Sequence, residues 1–435
     1  MSEVAQAPQL RFPEFIGEWD VTNFGNISSI KRGASPRPIS SPKWFDKDSS
    51  VGWVRISDVT KSKKYLKKTE QYLSEDGINR SRKVDKGNLI MSICATIGKP
   101  IYTNFNVCIH DGFIVFDSLS EDKGFIYYLL EKIQKKWYRY GQPGTQVNLN
   151  SDIVSSEIFS IPTKPEQQKI AAFLAAVDSK IEQLSKKQEL LGEYKKGSMQ
   201  QIFSQAIRFH SKGTSSQAQG EIDDTPGQPL LPNGNSPSGS DFPDWEEKKL
   251  GDITDLITKG TTPTSVGYNF TTEGINFIKV ESIKNFKIDI GSVPKISEEC
   301  HHHLKRSQLK NNDIVFSIAG TLGRTAIVKN KDLPANTNQA LSIIRLNRSQ
   351  HILFVHYLLN LESIDKYIHR MLSVGAQPNL SLQQVGDIQL QLPSLLEQSK
   401  ITNFLSFIDS KIEQVGKQLD ESKQFKKALL QQMFI

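Results

Sequence analysis

Two Asp-x-Lys triplets resemble part of a catalytic site more closely than any other residues of the sequence. Asp178 with Lys180, and Asp409 with Lys411, match the D-x-K end of a nuclease signature. A nuclease carries that signature on a strand, where alternate residues share a face. The apolar spacing around both triplets is helical, so the Asp and the Lys diverge. We therefore interpret both triplets as surface charges that flank a helix.

The other candidates for catalysis or metal binding are weaker. The histidines 301–303 are adjacent and point in different directions, with no ligand set at metal spacing, which favours a solvated basic loop. No G-x-G triplet occurs, and Gly192 and Gly197, which have P-loop spacing, are followed by Ser198 where the lysine should stand. No Ser, His and Asp set can be assembled from spacing alone. The sequence therefore predicts a non-catalytic chain without a metal site.

Basic residues lie at matched places in the two halves of the chain. Lys and Arg can neutralise phosphates, and Arg, Gln and Asn can read base edges. A single charged run is more often a solvated face, but the matched arrangement favours DNA binding. The Gln and Asn side chains of the polar segments 141–150 and 375–384 could read adenine or could build a turn, and both interpretations stay open. The candidate DNA-binding residues are Lys63, Lys64, Lys67, Arg80, Arg82, Lys99, Lys135, Lys136, Arg139, Gln146, Asn148, Lys279, Lys284, Lys305, Arg306, Arg324, Gln377 and Asn379.

Composition agrees with a folded protein that meets an anionic partner. The 435 residues are 37% hydrophobic and 23% charged, which predicts two or three globular domains. The net charge of +7 and the pI near 9.0 favour nucleic acid, the commonest anionic partner. Three cysteines without a C-x-x-C pair argue against a disulfide framework or a zinc site. Without a secretory leader or an apolar run of membrane length, we expect a cytoplasmic, unanchored chain.

An internal repeat organises the chain. EQQKIAAFLAAVDSKIEQL in the first half returns as EQSKITNFLSFIDSKIEQV at the end. RFPEF likewise matches DFPDW, and KGNLIMSICATIGKP matches NNDIVFSIAGTLGRT. The period is far longer than that of a solenoid, which indicates a duplicated domain. Two like halves in the protein suggest a target made of two like halves.

Each copy ends in a long helix with a narrow apolar seam. The first helix, from Pro165 to about Arg208, would be roughly 65 Å long. Thr163 precedes Glu166 by three residues, and Ser394 precedes Glu397 by three, so each helix opens with a predicted capping box. A seam of this kind needs a partner, and we predict that the two helices pair with each other. The seam residues are Ile170, Leu174, Val177, Ile181, Leu184, Ile401, Leu405, Ile408, Ile412 and Val415.

The remainder of each copy alternates β-like and helical patterns. The segments 52–56, 88–93 and 113–116 predict strands, and 124–140 and 351–372 predict one helix in each copy. The predicted fold class is α+β: two mixed α/β globular parts separated by a long antiparallel coiled coil of two helices, internally duplicated with pseudo-two-fold symmetry. The Ser-, Gly- and Pro-rich stretch between the copies predicts a flexible linker.

The ordered motifs resemble one family. P-x-x-x-E-Q-x-K-I-x-x-F-L occurs at 162–174 and 393–405, and T-[IL]-G-[KR] occurs at 96–99 and 321–324. Two such copies make the chain similar to the specificity subunit of Type I restriction-modification enzymes. The resemblance implies target recognition domains at 1–161 and 242–392, spacer helices at 162–209 and 393–435, and a linker at 210–241.

The resemblance also implies partners. Each recognition domain would read one half of a split DNA site, and the spacer helices would dock two methyltransferase subunits and, for cleavage, motor-nuclease subunits. S-adenosylmethionine, Mg²⁺ and ATP would belong to those partners and not to this chain. If both readers approach one face of the duplex, the half-sites should lie about 34 Å apart. The alternatives are a stand-alone DNA-binding regulator and a coiled-coil scaffold without a DNA role.

Overall fold

A computed structural model of the chain describes residues 7–140, 149–210, 242–374 and 379–435. These residues form two compact units: unit 1 is Met1–Gln188 with Gln414–Ile435, and unit 2 is Glu189–Glu413. Residues 211–241 of the predicted linker lie outside the described ranges, as do the candidate residues Gln146, Asn148 and Gln377. Within the described ranges no helix is both long and apolar enough to cross a membrane.

Unit 1 contains two main sheets and five short helices. The larger sheet has the order β2-β10-β7-β8-β4, the second has the order β5-β3-β9-β6, and β1 pairs with β11. The strands are β1 (Asp20–Asn23), β2 (Ser29–Arg32), β3 (Gly52–Val54), β4 (Tyr65–Leu66), β5 (Gln71–Tyr72), β6 (Arg82–Val84), β7 (Leu89–Ser92), β8 (Pro100–Thr103), β9 (Val107–Ile109), β10 (Phe113–Asp117) and β11 (Ile158–Ile161). The helices are α1 (Phe24–Ile27), α2 (Ile56–Lys61), α3 (Glu75–Asn79), α4 (Lys123–Ile133) and α5 (Ser151–Ser156).

Unit 2 repeats this plan with small changes. Its sheets have the orders β13-β21-β18-β19 and β17-β14-β20, and β12 pairs with β22 as β1 pairs with β11. The strands are β12 (Glu246–Lys249), β13 (Thr254–Lys259), β14 (Ile275–Ile278), β15 (Ile283–Lys284), β16 (Lys287–Ile288), β17 (Lys295–Ile296), β18 (Ile314–Ser317), β19 (Thr325–Ile327), β20 (Ala335–Thr337), β21 (Leu341–Leu346) and β22 (Gln389–Leu392). The helices are α7 (Glu298–His303), α8 (Ile352–Leu358), α9 (Glu362–Val374) and α10 (Leu382–Gly386).

The central strands of both units are buried on both faces. In unit 1, Met91 of β7 shares a core with α4, whereas its neighbour Ile90 shares another core with β3 and β9. In unit 2, Phe316 of β18 lies in the core with α8, and Val315 lies in the core with β14 and β20. Alternate side chains therefore face two layers, which explains why these strands read as continuous apolar runs. The predicted mixed α/β architecture and its duplication are confirmed.

Two long helices complete the units, and each contributes residues to both. They are α6 (Lys164–Phe203) and α11 (Leu395–Gln432). At 40 residues, α6 is about 60 Å long, and it ends before the predicted limit at Arg208. All ten predicted seam residues are buried or half-buried. Ile170 and Leu174 lie in the core of unit 1, and Ile401 lies in that of unit 2, so part of the seam also anchors the globular parts.

The helix pair is antiparallel in unit 1, and the two helices also meet in unit 2. In unit 1, Lys426 of α11 binds Asp178 of α6 at 2.8 Å, while further along α6 a Cβ on Gly416 would meet the Gln188 side chain. In unit 2, Lys195 of α6 binds Asp409 of α11 at 2.6 Å. Within unit 1, higher numbers on α6 therefore meet lower numbers on α11. The predicted pairing of the two long helices is confirmed.

Two local predictions were wrong. The single helix expected at 351–372 is divided into α8 and α9, because the Asn360 side chain donates to the His356 carbonyl at 2.5 Å, close to where α8 ends. The histidines 301–303 lie on α7 and not in a loop. The hydroxyl of Ser297 accepts the Cys300 N–H at 3.1 Å and starts that helix.

Candidate nucleic-acid interface

The glutamine of the P-x-x-x-E-Q motif fixes the start of each long helix to its globular part. Gln167 donates to the Pro162 carbonyl at 2.8 Å, and its Oε1 accepts the N–H of Asp122, the N-cap of α4, at 3.0 Å. Gln398 in the second copy donates to the Pro393 carbonyl at 2.8 Å. Its Oε1 accepts the N–H of the residue that precedes α8 at 2.9 Å. The motif therefore sets how each long helix leaves its sheet.

The glutamate of the same motif forms a buried ion pair and does not complete a capping box. Both oxygens of Glu166 accept from Arg11 at 2.8 Å. Both oxygens of Glu397 accept from Arg208, at 3.2 and 2.9 Å, and this carboxylate also receives the Trp245 indole N–H at 3.3 Å. The ion pair with Glu166 raises the pKa of Arg11. In a capping box each carboxylate would accept a hydrogen bond from the backbone N–H of the N-cap residue. Here the carboxylates accept from arginines instead.

The two arginines were not predicted, although an Arg-Phe dipeptide marks both. Phe12 follows Arg11 and packs edge-on against Phe173 at 5.8 Å. Phe209 follows Arg208 and packs edge-on against Phe404 at 5.9 Å. Arg11 and Phe12 belong to the RFPEF match, but Arg208 and Phe209 lie before the segment 211–241 and outside the DFPDW match. Aligning the two copies therefore does not pair the two arginines.

The Asp-x-Lys aspartates join three elements and are not simple surface charges. Asp178 accepts from the Tyr128 hydroxyl of α4 at 2.7 Å and pairs with Lys426 of α11 at 2.8 Å. Asp409 accepts from the Tyr357 hydroxyl of α8 at 2.7 Å and pairs with a lysine of α6 at 2.6 Å. Burial raises the pKa of both tyrosines. Each aspartate therefore links its globular helix to the long-helix pair.

The T-[IL]-G-[KR] motif builds a tight turn after the central strand. Gly98 and Gly323 have φ of +73° and +77°, a conformation that favours glycine. The hydroxyl of Ser317 donates to the Thr321 carbonyl at 2.6 Å, and Ser92 makes the same bond to Thr96. Lys99 then donates to the Val59 carbonyl at 2.7 Å and the Ser62 carbonyl at 2.9 Å, near the C-terminal end of α2. Burial lowers the pKa of Lys99.

The described candidate DNA-binding residues fall into three groups. One group is exposed and makes no side-chain hydrogen bond or ion pair with any residue that the structure describes: Lys63, Lys67, Arg80, Lys135, Lys136, Lys305 and Asn379. A second group is bound by neutral oxygens or an aromatic ring: Arg82 to the Arg32 carbonyl, Arg306 to Thr261, Arg324 to the Val280 carbonyl, and Lys279 over the Phe270 ring. A third group is engaged by carboxylates or buried: Arg139, Lys284, Lys64 and Lys99.

The third group has the least capacity for phosphate. Arg139 donates to Glu157 at 2.5 Å, and that carboxylate is buried, so the arginine balances an internal charge. Lys284 pairs with Asp289 at 2.7 Å. Lys64 donates to the Tyr128 hydroxyl at 2.9 Å among several tyrosine rings, and burial lowers its pKa. The lysines and the arginine of the first group can contact a phosphate backbone, and the arginines of the second group, which bind only neutral oxygens, also keep their charge available.

No group of three or more His, Cys, Asp or Glu side chains within the described ranges could hold a metal ion. The free cysteines Cys94, Cys108 and Cys300 are half-buried or buried. Burial raises the pKa of all three, to about 11 for Cys108. They are therefore poor thiolate nucleophiles in this environment.

Comparisons with known proteins match this architecture over its length. The model of the Type I restriction modification DNA specificity domain matches residues 16–191 and again residues 243–421. The MjaVIII specificity subunit of Methanocaldococcus jannaschii is 24% identical over 97% of this chain and 92% of its own length. The EcoBI specificity subunit of Escherichia coli is 23% identical over 67% of this chain and 62% of its own length.

Solved structures share the fold. The specificity subunit of a Type I system from M. genitalium superposes with a TM-score of 0.58 at 16% identity, covering 99% of both chains. A structure from work on complex assembly and conformational transition of the Type I system superposes with a TM-score of 0.53 at 17% identity, covering 95% of this chain and 96% of the other. Because one family model covers both copies and most of the residues, the chain belongs to the Type I restriction-modification specificity subunits, which determine the DNA target.

Proposed function

We propose that each unit reads one half of a bipartite, asymmetric DNA target and that the chain itself catalyses no step. The observation that carries this proposal is the duplication: the two units share the order of four central strands and the motif contacts, but their basic segments differ in sequence. Equal scaffolds with different exposed side chains are suited to two unequal half-sites. Contacts to separate base pairs add to specificity roughly independently.

The proposed partners are double-stranded DNA, two methyltransferase subunits and, for cleavage, motor-nuclease subunits. The long helices support docking, because residues such as Leu190 and Phe425 are large, apolar and exposed on α6 and α11. S-adenosylmethionine, Mg²⁺ and ATP would be held by those partners. The buried contacts of the E-Q motif suit a rigid support that keeps each recognition unit in one orientation on its helix.

The proposal is tested by coexpression with the modification subunit encoded beside this chain, followed by single-molecule mapping of methylated bases. We expect methylation at a split, asymmetric motif that disappears when this chain is deleted. The modification subunit expressed alone is the control. Methylation that is independent of this chain would contradict the proposal and favour a regulator or a scaffold.

A further inference from the structure

One turn has the same backbone in both units but presents different side chains. It joins β9 to β10 in unit 1 and β20 to β21 in unit 2. In unit 1 the His110 side chain accepts the Gly112 N–H at 2.8 Å, and in unit 2 the Asn338 side chain accepts the Ala340 N–H at 3.2 Å. These side chains hold the turn closed. The residue between each pair, Asp111 or Gln339, is thus left to project from the same framework.

A second loop braces each turn. It follows β2 or β13 and has the sequence [RK]-G-x-[ST]-P, which is Arg-Gly-Ala-Ser-Pro in unit 1 and Lys-Gly-Thr-Thr-Pro in unit 2. Its glycine lies against the turn backbone: a Cβ on Gly33 would stand 2.1 Å from the His110 carbonyl oxygen, and one on Gly260 would stand 2.0 Å from that of Thr337. Only glycine permits this approach.

The hydroxyl of the bracing loop points to the projecting residue in both units. Ser35 donates to Asp111 Oδ1 at 2.8 Å, and Thr262 donates to Gln339 Oε1. One oxygen of each side chain is therefore fixed, which limits its rotamers. Asp111 keeps a second carboxylate oxygen and is 47% exposed, and Gln339 is exposed and keeps its amide nitrogen. A preorganised polar group at the surface is what base recognition needs.

Arginines bind next to the turn in unit 1 and on the bracing loop in both units. Arg82 of β6 donates to the Arg32 carbonyl at 2.6 Å, and in unit 2 Arg306 donates to Thr261 of the bracing loop at 3.2 Å. In unit 1, Arg32 also donates to the Asp111 carbonyl at 2.8 Å, and Arg37 lies 3.7 Å from the Asp111 carboxylate. The Ser35 hydrogen bond lowers the pKa of Asp111. A carboxylate beside DNA is repelled by phosphates, and the surrounding arginines offset that repulsion.

We propose that Asp111 and Gln339 are the base-reading side chains of their units, and that Arg82 and Arg306 contact the phosphates beside them. A carboxylate accepts from the amino group of cytosine, and a glutamine amide pairs with adenine. The difference between the two side chains would then make the two half-sites unequal. This inference rests on the proposed function, because it assigns residues to a reading role that the proposal gives to each unit.

The test uses the full chain coexpressed with its modification subunit, and the readout is the methylated motif. Asp111→Asn keeps an acceptor for Ser35 and so preserves the turn, but it replaces the second oxygen with a donor. We expect discrimination to fall about tenfold at one position of one half-site. Gln339→Glu should change one position of the other half-site only.

Matched controls lie in the same units away from the turn. Asp117→Asn removes an exposed carboxylate at the far end of β10, and Gln391→Ala removes an exposed amide contact on β22. Neither should change the motif. The inference is overturned if Asp111→Asn and Gln339→Glu leave both half-sites unchanged, or if they reduce all methylation without altering the motif. Absence of any motif that depends on the wild-type chain would instead refute the proposed function.

Discussion

At the scale of single residues, the motifs that repeat between the copies have mainly structural roles. Gln167 and Gln398 fix helix starts, the buried Glu166 and Glu397 bind half-buried arginines, and Asp178 binds both a tyrosine and a lysine. Removing one partner of a buried ion pair costs about 3–5 kcal/mol, because the remaining charge stays unpaired. The repeated residues therefore keep the scaffold constant, while target choice can vary elsewhere.

A buried histidine gives unit 2 a pH-dependent stability. Burial lowers the pKa of His356 to about 4 from its ordinary value of 6.5. Its Nε2 lies 3.1 Å from the Thr325 hydroxyl, and its Nδ1 has no partner within the described residues. Between pH 6.5 and 4, His356 is protonated in the unfolded chain but stays neutral in the folded chain. The neutral histidine is thus compatible with folding above about pH 6.5, and stability falls as the pH drops toward 4.

We expect His356→Gln to remove this part of the acid sensitivity. The glutamine amide can still donate to Thr325 but does not titrate. The loss of unfolding free energy between pH 7.5 and pH 4.5 should be about 2–3 kcal/mol smaller in the variant than in the wild type, as measured by urea denaturation. His302→Gln, at an exposed position, is the control and should follow the wild type. An equal pH dependence in His356→Gln would contradict the assignment.

At the scale of elements, α6 contains two glycines in its interior that no packing contact among the described residues requires. A Cβ added to Gly192 or Gly197 of α6 would meet no atom within 4 Å. Glycine in a helix interior costs about 0.5–1 kcal/mol relative to alanine. These two glycines therefore lower the stability of α6 without a packing reason among the described residues.

Gly192→Ala and Gly197→Ala should each raise the unfolding free energy by about 0.5–1 kcal/mol, because alanine restricts the unfolded chain and fits the helix. Thermal or urea denaturation measures the change. Gly98→Ala is the contrasting variant, since its φ is +73° and its Cβ would lie 2.2 Å from Trp137 Cδ1. It should be strongly destabilised. Destabilisation of the two α6 variants would show that these glycines have a structural role.

At the scale of the whole molecule, only some of the basic residues behind the net charge of +7 are free to contact DNA phosphates. Lys135 and Lys136 are exposed and pair with no carboxylate in the part of the chain that the structure describes, whereas Arg139, three residues on, balances the buried Glu157. If all three residues were substituted together, a loss of DNA binding could come either from lost phosphate contacts or from a destabilised fold. The structure therefore separates the two lysines from the arginine as a test of phosphate contact.

The double variant Lys135→Ala, Lys136→Ala should weaken DNA binding by the assembled complex equally for all sequences. Each lost phosphate contact lowers the slope of log K against log salt by about 0.9, so a decrease of about 1.8 is expected. Fluorescence anisotropy over a salt series measures this slope. The control is Lys366→Ala, Lys417→Ala, which removes two exposed lysines that pair within their own helices. An unchanged slope in the first variant would exclude these lysines from the DNA contact.

The duplication, the fold class and the family could all be predicted from the sequence. Helical seams such as Ile401 and Leu405 and buried strands such as Leu89–Ser92 are local patterns with a fixed period, so a single chain displays them. The same holds for the T-[IL]-G-[KR] turns, whose glycines need a positive φ.

Which charges are free and which side chains meet became visible only in the folded chain. Arg11 and Glu166, or Ser35 and Asp111, are far apart along the chain, and their contacts depend on how strands and helices pack. Exposure also separates Lys135 from Lys64, although both lie in basic runs. Charge and spacing indicate what a residue could do, whereas the partners that the fold brings to it set what remains available for DNA.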